Sequence, residues 1–457
     1  MDLSLVNSFD YQGFSIRPSL RRVYSLEQAA FHVIGYLKPF SSSEIALLRD
    51  NGIIPGFVTL SDLDYSYLLR SWKQSRLVTD LCGATGMERV CENRIRGDSG
   101  KRTTFRVRAR SQLAEELLPP RNGSDVHLSI DKRIQIIAYE ELTARTERGA
   151  AIVMDPVTGE VLAMVSVPSV RPGSLAIPAE AAEIFRSENF PLVNRAISGM
   201  YPLGSVMKPV IAAMGLEESL IDEETEIECS GVLEKGGHLF HCFQNASHGA
   251  ENLVDALKHS CNIFFYKLSE LSSPEMLTTW GDKFGLGRGT GIELPGEKSG
   301  RLPRGRNWLT GKKYMFVIGQ GEVEVTPIQA IRIISAFANG GKLVTPTLFK
   351  VRNYPSYRDL GLSEETIRVI REGLWKVVNE NEGTGSAARI PIQGVEVAGK
   401  TGSAEVQGKN SHSWFAGFAP FDKPRYAVVV LCENMGTGGK HAAPVAGRIL
   451  ERILKLE

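Results

Sequence analysis

Residues 394–406, with the sequence GVEVAGKTGSAEV, constrain the fold of this chain more than any other segment. Their first eight residues match G-x-x-x-x-G-K-[ST], the pattern of a phosphate-binding loop, which must be irregular and must lead into a helix. The residues between Gly394 and Gly399 instead alternate between apolar and polar side chains, as in a β-strand. The strand pattern also resumes after Gly402. We therefore expect Lys400 to lie on a strand, and we expect no nucleotide to bind there.

The remaining patterns predict one sheet with helices against it. Residues 125–130 predict a strand, and residues 150–168 predict two strands around a turn at 156–159. Asp131 is the predicted N-cap of a helix over KRIQIIAYEELTA. Further helical patterns cover 202–285 and 326–340, strand patterns cover 395–406, 413–419 and 426–432, and a last amphipathic helix carries Val445, Ile449, Ile453 and Leu456 on one face. This order predicts an α+β or α/β fold with helices on both faces of the sheet.

The segment ELLPPRNGSD, residues 116–125, is rich in proline, glycine and polar residues, so we place a domain boundary there. Residues 1–118 form the predicted smaller N-terminal domain, which includes a capped helix over 41–52, and residues 119–457 form the main domain. The net charge of +1 gives no indication of a nucleic acid partner. No run of 18 apolar residues exists, so the sequence predicts no membrane-spanning helix.

A serine and a lysine three residues apart occur twice, at Ser129–Lys132 and at Ser205–Lys208. Ser129 lies in a strand pattern, so its lysine need not face it. Ser205 follows the turn YPLG and precedes an apolar helical run, in which Pro209 is tolerated only near the helix start. The helix must therefore begin close to Ser205, and Lys208 then lies on the same face.

The pattern S-x-N also occurs twice, at residues 187–189 and 260–262. The first pair precedes Ser205, whereas Ser260 and Asn262 lie between Ser205 and Lys400. The order S-x-x-K, S-x-N and K-[ST]-G is typical of serine acyltransferases that react with β-lactams. We expect no metal and no cofactor in this catalytic group.

The spacing explains the expected chemistry. A serine hydroxyl needs a base, and Lys208 can be that base when burial and a second cation such as Lys400 keep its amine partly neutral. Ser260 is expected to relay the proton to the leaving amine, and Asn262 to bind the substrate amide. Thr401, Gly402 and Ser403 extend the carboxylate-binding group that begins at Lys400, and the backbone N–H groups of Ser205 and Ser403 are the expected oxyanion hole.

The chain resembles the class B penicillin-binding proteins, the monofunctional peptidoglycan D,D-transpeptidases. Besides the three motifs, the likeness rests on RVYSLEQAAFHVIGYL, GAAIVMDPVTGEVLAMVSVP, PLVNRAISGMYPLGSVMKP, IGQGEVEVTPIQA and HSWFAGFAP. It implies a penicillin-binding transpeptidase fold with a mostly antiparallel central sheet and an N-terminal pedestal. The segment HCFQNASHG makes the chain more similar to the elongation type than to the division type.

The resemblance also implies substrates, partners and a location. The substrates are stem peptides ending in D-Ala-D-Ala, and β-lactams would acylate Ser205. A membrane glycan-polymerising protein and other cell-wall synthesis proteins are the implied partners, at the outer face of the cytoplasmic membrane. The membrane helix and the segment RGxIxDRxG of family members are missing from this sequence, and we expect that they were truncated.

Several alternatives stay open. Cys229, His238, His241, Cys242 and His248 could form a zinc site, or Cys229 and Cys242 could form a disulfide. Residues 319–321, GQG, predict a turn before a helix, since a dinucleotide fingerprint would need glycine at position 324. A β-lactamase or a β-lactam sensor of the same fold is the competing function. A β-lactamase is disfavoured because no E-x-x-L-N follows the S-x-N motif, a sensor because no signalling domain is evident, and a silent scaffold because the catalytic positions are intact.

Overall fold

A computed structural model gives the structure of the chain and describes residues 22–39, 81–97, 101–106, 113–119, 121–351 and 354–456. The helix predicted over 41–52 lies outside these residues. The described strands are β1 (Leu37–Pro39), β2 (Leu81–Gly83), β3 (Lys101–Arg106), β4 (Leu113–Leu118), β5 (Gly149–Met154), β6 (Val161–Val167), β7 (Ile227–Cys229), β8 (Val232–Lys235), β9 (His238–His241), β10 (Gly249–Glu251), β11 (Lys342–Val344), β12 (Tyr357–Asp359), β13 (Ala398–Val406), β14 (Lys409–Ala419) and β15 (Tyr426–Cys432).

The helices of the same residues alternate with these strands. They are α1 (Phe31–Ile34), α2 (Gly86–Val90), α3 (Glu92–Ile95), α4 (Lys132–Thr143), α5 (Pro178–Arg186), α6 (Arg195–Ser198), α7 (Lys208–Glu217), α8 (Leu253–Lys258), α9 (Asn262–Glu270), α10 (Pro274–Lys283), α11 (Thr310–Val317), α12 (Pro327–Ala338), α13 (Glu364–Asn379) and α14 (Gly438–Leu454). Short 3₁₀ turns occur at Glu27–Ala30, Pro172–Ala176, Gly204–Met207, Phe243–Asn245 and Ser386–Ala388. None of these helices is both long and apolar enough to cross a bilayer.

The main sheet has five antiparallel strands in the order β13-β14-β15-β5-β6. Alternate residues of each strand point to opposite sides of the sheet, and both sides are buried under helices. Ala151 and Val153 of β5 pack in the core that holds α4 and α14. Ile152 packs in the core on the other face, which holds α7 and α12. The predicted sheet with helices on both faces is therefore confirmed.

Several boundaries differ from the prediction. Residues 125–130 form no strand; Leu128 makes one isolated bridge to Phe349. The strand that carries Lys400 begins at Ala398 rather than at 395, because residues 395–397 follow a turn. Leu456 lies beyond the end of α14 and is 40% exposed, unlike the other three residues predicted on that face.

The helical pattern over 202–285 is interrupted by two small antiparallel pairs, β7 with β10 and β8 with β9. Elsewhere the predicted elements are present. Asp131 caps α4 by accepting hydrogen bonds from the N–H groups of Arg133 and Ile134. The strand pair β5 and β6 surrounds the predicted turn. The two small strand pairs lie between α7 and α9, in the part of the chain that leads to the second motif.

Candidate active site

Ser205 lies in a helical turn that follows a sharp bend of the backbone. The 3₁₀ turn Gly204–Met207 leads directly into α7, whose first turn contains Pro209. Gly204 has φ of 61°, a left-handed conformation that favours glycine, and its N–H donates to the carbonyl of Gly319 at 2.9 Å. The predicted helix start is thus observed, and Lys208 follows Ser205 by one turn.

The Lys208 amine is fully buried and contacts both residues of the second motif. Lys208 Nζ lies 2.6 Å from the carbonyl oxygen of Ser260, 3.3 Å from Ser260 Oγ and 2.7 Å from Oδ1 of Asn262. Burial lowers the pKa of Lys208 to about 8, although the nearby cysteines oppose this shift. A neutral amine has two N–H donors, so the carbonyl and Asn262 can satisfy both and leave its lone pair to accept a proton.

Ser205 itself stands outside this hydrogen-bonded group. Within the described part of the chain, no hydrogen bond joins its hydroxyl to Lys208. Ser260 is held in a left-handed conformation, with φ of 57°, which is uncommon for a residue other than glycine. This conformation accompanies the direct contact between its carbonyl oxygen and Lys208. The structure therefore brings together three of the predicted catalytic residues, and the predicted nucleophile, Ser205, lies one helical turn before Lys208.

Lys400 lies on β13, the edge strand of the main sheet, and not at a helix start. Its side chain is fully buried, and Nζ donates to the carbonyl of Thr401 at 3.3 Å. Burial, together with the charge of Lys208, holds the pKa of Lys400 well below its usual range. The charge of Lys208 thus acts on Lys400, whereas the lowered pKa of Lys208 comes from burial and not, as the sequence predicted, also from Lys400. A phosphate loop is excluded, because β13 continues through Lys400 to Val406, where a phosphate loop would open a helix.

The strand after Lys400 touches the turn that carries Ser205. A side-chain carbon at Gly204 would lie 3.2 Å from the carbonyl oxygen of Ser403, and one at Gly402 would lie 3.0 Å from the carbonyl oxygen of Leu203. Ser403 Oγ accepts a hydrogen bond from the N–H of Gly438, the first residue of α14, at 3.2 Å. The two proposed oxyanion donors, Ser205 and Ser403, therefore belong to backbone segments in van der Waals contact.

The duplicate motifs lie elsewhere. Ser129 is 1% exposed, and its hydroxyl donates to the carbonyls of Val161 and Thr347 at 2.7 and 3.1 Å. Lys132 is exposed at the start of α4. Ser187 follows α5, and its Oγ accepts from the N–H of Asn189 within that loop. These serines have local structural roles.

Some residues at the site were not predicted to take part. Gly319 has φ of 68° and packs on Gly204, so close that a side-chain carbon would lie 2.3 Å from the Gly204 carbonyl oxygen. Gln320 Nε2 donates to the carbonyl of Ser403 at 3.4 Å, and Thr401 Oγ1 donates to Thr384 Oγ1 at 2.8 Å. The predicted turn at GQG is therefore correct, but its position against the nucleophile was missed. The glycines of IGQG were the only sequence signal of this packing, because glycine tolerates a positive φ and a close approach of another backbone.

A second group of reactive side chains lies beside the S-x-N motif. The ligand atoms of Cys229, Cys242, His248 and Cys261 all lie within 4.8 Å of one another. His248 Nδ1 is 3.5 Å from Cys229 Sγ and 3.6 Å from Cys242 Sγ, and the sulfurs of Cys242 and Cys261 are 3.7 Å apart. Tetrahedral zinc with bonds of about 2.3 Å to sulfur and 2.0 Å to nitrogen would separate its ligand atoms by about 3.5–3.8 Å. These three separations match such an ion, and all four donors lie close enough together to converge on one.

This group corrects the predicted ligand set. His238 and His241 lie on β9, an exposed strand, and are not part of the group, whereas Cys261, the middle residue of the S-x-N motif, is. The alternative disulfide is absent, because Cys229 and Cys242 are free thiols in the described chain. Spacing alone did not identify Cys261, because it lies in a separate element.

Comparison with known families and proteins agrees with this geometry. Residues 149–451 match the family described as "Penicillin binding protein transpeptidase domain", and residues 5–128 match "Penicillin-binding Protein dimerisation domain". The chain is 31% identical to the peptidoglycan D,D-transpeptidase MrdA of Acinetobacter baumannii, over 95% of this chain and 66% of that protein. It is 27% identical to MrdA of Escherichia coli K12, over 98% of this chain and 73% of that protein.

Solved structures show the same likeness. The penicillin-binding protein PBP2 of Helicobacter pylori, in a complex with MreC, superposes with a TM-score of 0.81 at 28% identity, over 95% of this chain and 79% of that one. PBP2 of Pseudomonas aeruginosa in complex with WCK 5153 gives a TM-score of 0.78 at 28% identity, over 96% and 92%. The predicted fold and reaction class are confirmed. The MrdA and PBP2 relatives make the chain more similar to the elongation type than to the division type. The chain belongs to the class B penicillin-binding proteins, the family of serine D,D-transpeptidases.

Proposed function

We propose that this chain cross-links peptidoglycan through an acyl-enzyme on Ser205. The Ser205 hydroxyl attacks the carbonyl of the penultimate D-Ala of a stem peptide while Lys208 accepts its proton. The peptide bond then breaks, the terminal D-Ala leaves with a proton, and an ester remains on Ser205. The amine of a second stem peptide attacks this ester, which forms the cross-link and returns the proton to Ser205. The buried Lys208 amine, held by Ser260 and Asn262, is the observation that carries this proposal.

The other site residues take the roles that their positions allow. Ser260 Oγ, 3.3 Å from Lys208 Nζ, relays the proton to the leaving amine. Asn262 binds the substrate amide, and Lys400, Thr401, Gly402 and Ser403 bind the terminal carboxylate along the edge strand. The N–H groups of Ser205 and Ser403 stabilise the oxyanion. Support comes from the contact between the two backbone segments that carry these donors.

We infer the wider context from the same family. A boundary near residue 119 would separate the pedestal from the transpeptidase domain. A glycan-polymerising membrane protein and other cell-wall synthesis proteins are the proposed partners, at the outer face of the cytoplasmic membrane. The titles of the matched structures support this, since one relative is bound to MreC and another belongs to a peptidoglycan synthase complex.

We also propose that Cys229, Cys242, His248 and Cys261 hold a zinc ion. Three separations of 3.5–3.7 Å between their ligand atoms, close to those in tetrahedral zinc sites, support this. Three sulfurs and one imidazole leave no open position, which is typical of a structural rather than a catalytic ion. Bound there, the ion would fix Cys261 and therefore the backbone between Ser260 and Asn262.

The proposed reaction is tested by intact-mass measurement after incubation with benzylpenicillin, followed over hours. We expect one adduct that persists, that is lost in Ser205→Ala and that remains in Ser129→Ala. An adduct that disappears within minutes would favour a β-lactamase. Labelling that depends on Ser129 instead of Ser205 would overturn the assignment of the nucleophile.

A further inference from the structure

A buried ionic network lies behind the turn that carries the nucleophile. Glu433 follows the last residue of β15 and is 9% exposed. Its Oε1 accepts hydrogen bonds from Tyr201 OH at 2.7 Å and from Nε of Arg195 at 2.7 Å, and its Oε2 lies 2.8 Å from Nη2 of Arg148. Three donors therefore lie within 2.8 Å of this carboxylate. Two of its partners are arginines, and the third is the residue four positions before Ser205.

The protonation states of Tyr201 and Glu433 favour the hydrogen bond between them. Burial would raise the pKa of Glu433, but the Tyr201 hydroxyl and the two guanidinium groups outweigh it and lower the pKa. Burial, and then the charge of Glu433, raise the pKa of Tyr201. Tyr201 consequently stays a neutral donor and Glu433 an anionic acceptor. Hydrogen bonds of this charged kind are roughly twice as strong as neutral ones.

The position of Glu433 in the sheet connects the Tyr201–Glu433 hydrogen bond to Ser403. Ser413 of β14 pairs with Ser403 on one side and with Cys432 on the other, so these three residues form one row across the sheet. Glu433 directly follows Cys432, and its own N–H donates to the carbonyl of Arg148 at 2.9 Å. The carboxylate is thus fixed beside the row that contains Ser403.

The next residue of the turn is held to the neighbouring row. Trp414 pairs with Gly402, and its Nε1 donates to the carbonyl of Pro202 at 3.0 Å. The ring of Tyr201 stands edge-on to Trp414, with centroids 6.1 Å apart. Tyr201 and Pro202 are therefore tied to adjacent rows of the sheet, on the strands that lead to Ser403 and Gly402.

We propose that Tyr201 and Glu433 are positioning residues. They hold the nucleophile turn, residues 201–205, at a fixed distance from Ser403. The inference rests on the proposed role of Ser205. Ser205 and Ser403 are remote in sequence, so no covalent connection fixes the distance between their N–H groups. The Tyr201–Glu433 hydrogen bond is the one charged link from this turn to the sheet among the described contacts. It therefore sets the geometry in which the oxyanion forms.

The test separates the acylation rate constant from the dissociation constant of the non-covalent complex, measured with a fluorescent penicillin. We expect Tyr201→Phe to lower the acylation rate constant about 10- to 100-fold while the dissociation constant stays within about threefold, because positioning affects the transition state. Glu433→Gln should act on the same rate constant. The double variant should be no slower than the slower single variant, because both changes remove one interaction.

The matched control is Trp280→Phe, which removes a different aromatic donor to a carboxylate, the 2.8 Å bond from Trp280 Nε1 to Glu218 Oε1. It should lower the melting temperature and leave the acylation rate constant of folded protein unchanged. The inference would be overturned if the wild-type protein is acylated and Tyr201→Phe leaves the acylation rate constant unchanged. It would also be overturned if the decreases caused by Tyr201→Phe and Glu433→Gln multiply in the double variant. If the wild-type protein is not acylated at Ser205, the proposed function fails instead.

Discussion

Asn262 Oδ1 lies 2.7 Å from Lys208 Nζ, and this contact joins the second motif to the first. The orientation of the amide is fixed at both ends, because Asn262 Nδ2 donates to the carbonyl of His241 at 3.2 Å. An amide oxygen accepts a hydrogen bond without adding a charge. It therefore holds the amine in place and does not favour its protonated form as a carboxylate would.

The first prediction concerns pH. The pKa of Lys208 is lowered by burial to about 8, so the neutral amine is the minor form at pH 7 and the major form at pH 9. If this amine is the base, acylation by benzylpenicillin should rise about tenfold per pH unit below pH 8 and level off above it. The acylation rate constant measured between pH 6 and 9.5 checks this. A flat profile would contradict the role of Lys208.

The second prediction uses the contact with Asn262. Asn262→Asp should place a carboxylate next to the amine and raise the pKa of Lys208 by about 1–3 units. Acylation at pH 7 should then fall by about tenfold or more and recover as the pH rises. Asn262→Ala provides the comparison, because it removes the oxygen without adding charge. Equal pH profiles for these two variants would show that charge at this position does not control the base.

The main sheet could be predicted from the sequence because its strands carry strong local patterns. Tyr426–Cys432 is apolar throughout, and the strand is buried on both faces. The strand predicted over residues 125–130 is wrong, because among the described residues this segment has no neighbouring strand to pair with and makes only the bridge from Leu128 to Phe349. The small strands between α7 and α9 were missed because a strand of three or four residues leaves almost no periodicity to detect.

The position of Lys208 at a helix start and of Lys400 on a strand could be predicted because each motif lies within three or four residues. Contacts between segments that are far apart in the sequence could not be predicted, since no local pattern indicates them. Gly319 on Gly204, Thr384 on Thr401, and the link from Tyr201 to Glu433 are all of this kind. The group around Cys261 shows the same limit, because its four donors come from separate elements.

The third prediction concerns Lys400. Lys400→Ala should slow acylation by on the order of 10²-fold, because the amine helps to orient the incoming carboxylate. ATP with magnesium at millimolar concentration should leave the melting temperature of both proteins unchanged, since Lys400 lies on an edge strand and not in a phosphate loop. A nucleotide-dependent thermal shift that is lost in Lys400→Ala would refute the assignment of this segment.

The fourth prediction concerns metal content. Protein purified with zinc present should contain about one zinc per chain, measured by elemental analysis, and Cys242→Ser should reduce this amount strongly. Cys91→Ser is the control, because Cys91 is buried but lies outside the group. Removal of zinc from the wild-type protein should lower its melting temperature. Wild-type protein that stays free of zinc after this treatment would contradict the proposed site.

The last prediction tests the packing of Gly319 against the nucleophile turn. Gly319→Ala places a carbon 2.3 Å from the Gly204 carbonyl oxygen, which no rotation of a side chain can relieve, so the turn itself must move. Gly340→Ala is the matched control, because Gly340 also has a positive φ, of 80°, but a carbon there would meet nothing within 4 Å. The control should lose about 1–2 kcal/mol of stability from the left-handed conformation alone.

Gly319→Ala should lose more stability than this control and, in the protein that remains folded, acylate at least about tenfold more slowly. Thermal unfolding and penicillin acylation of both variants provide the measurements. Equal losses of stability with unchanged acylation would mean that the turn tolerates the displacement. The position of Ser205 would then not depend on the backbone of Gly319.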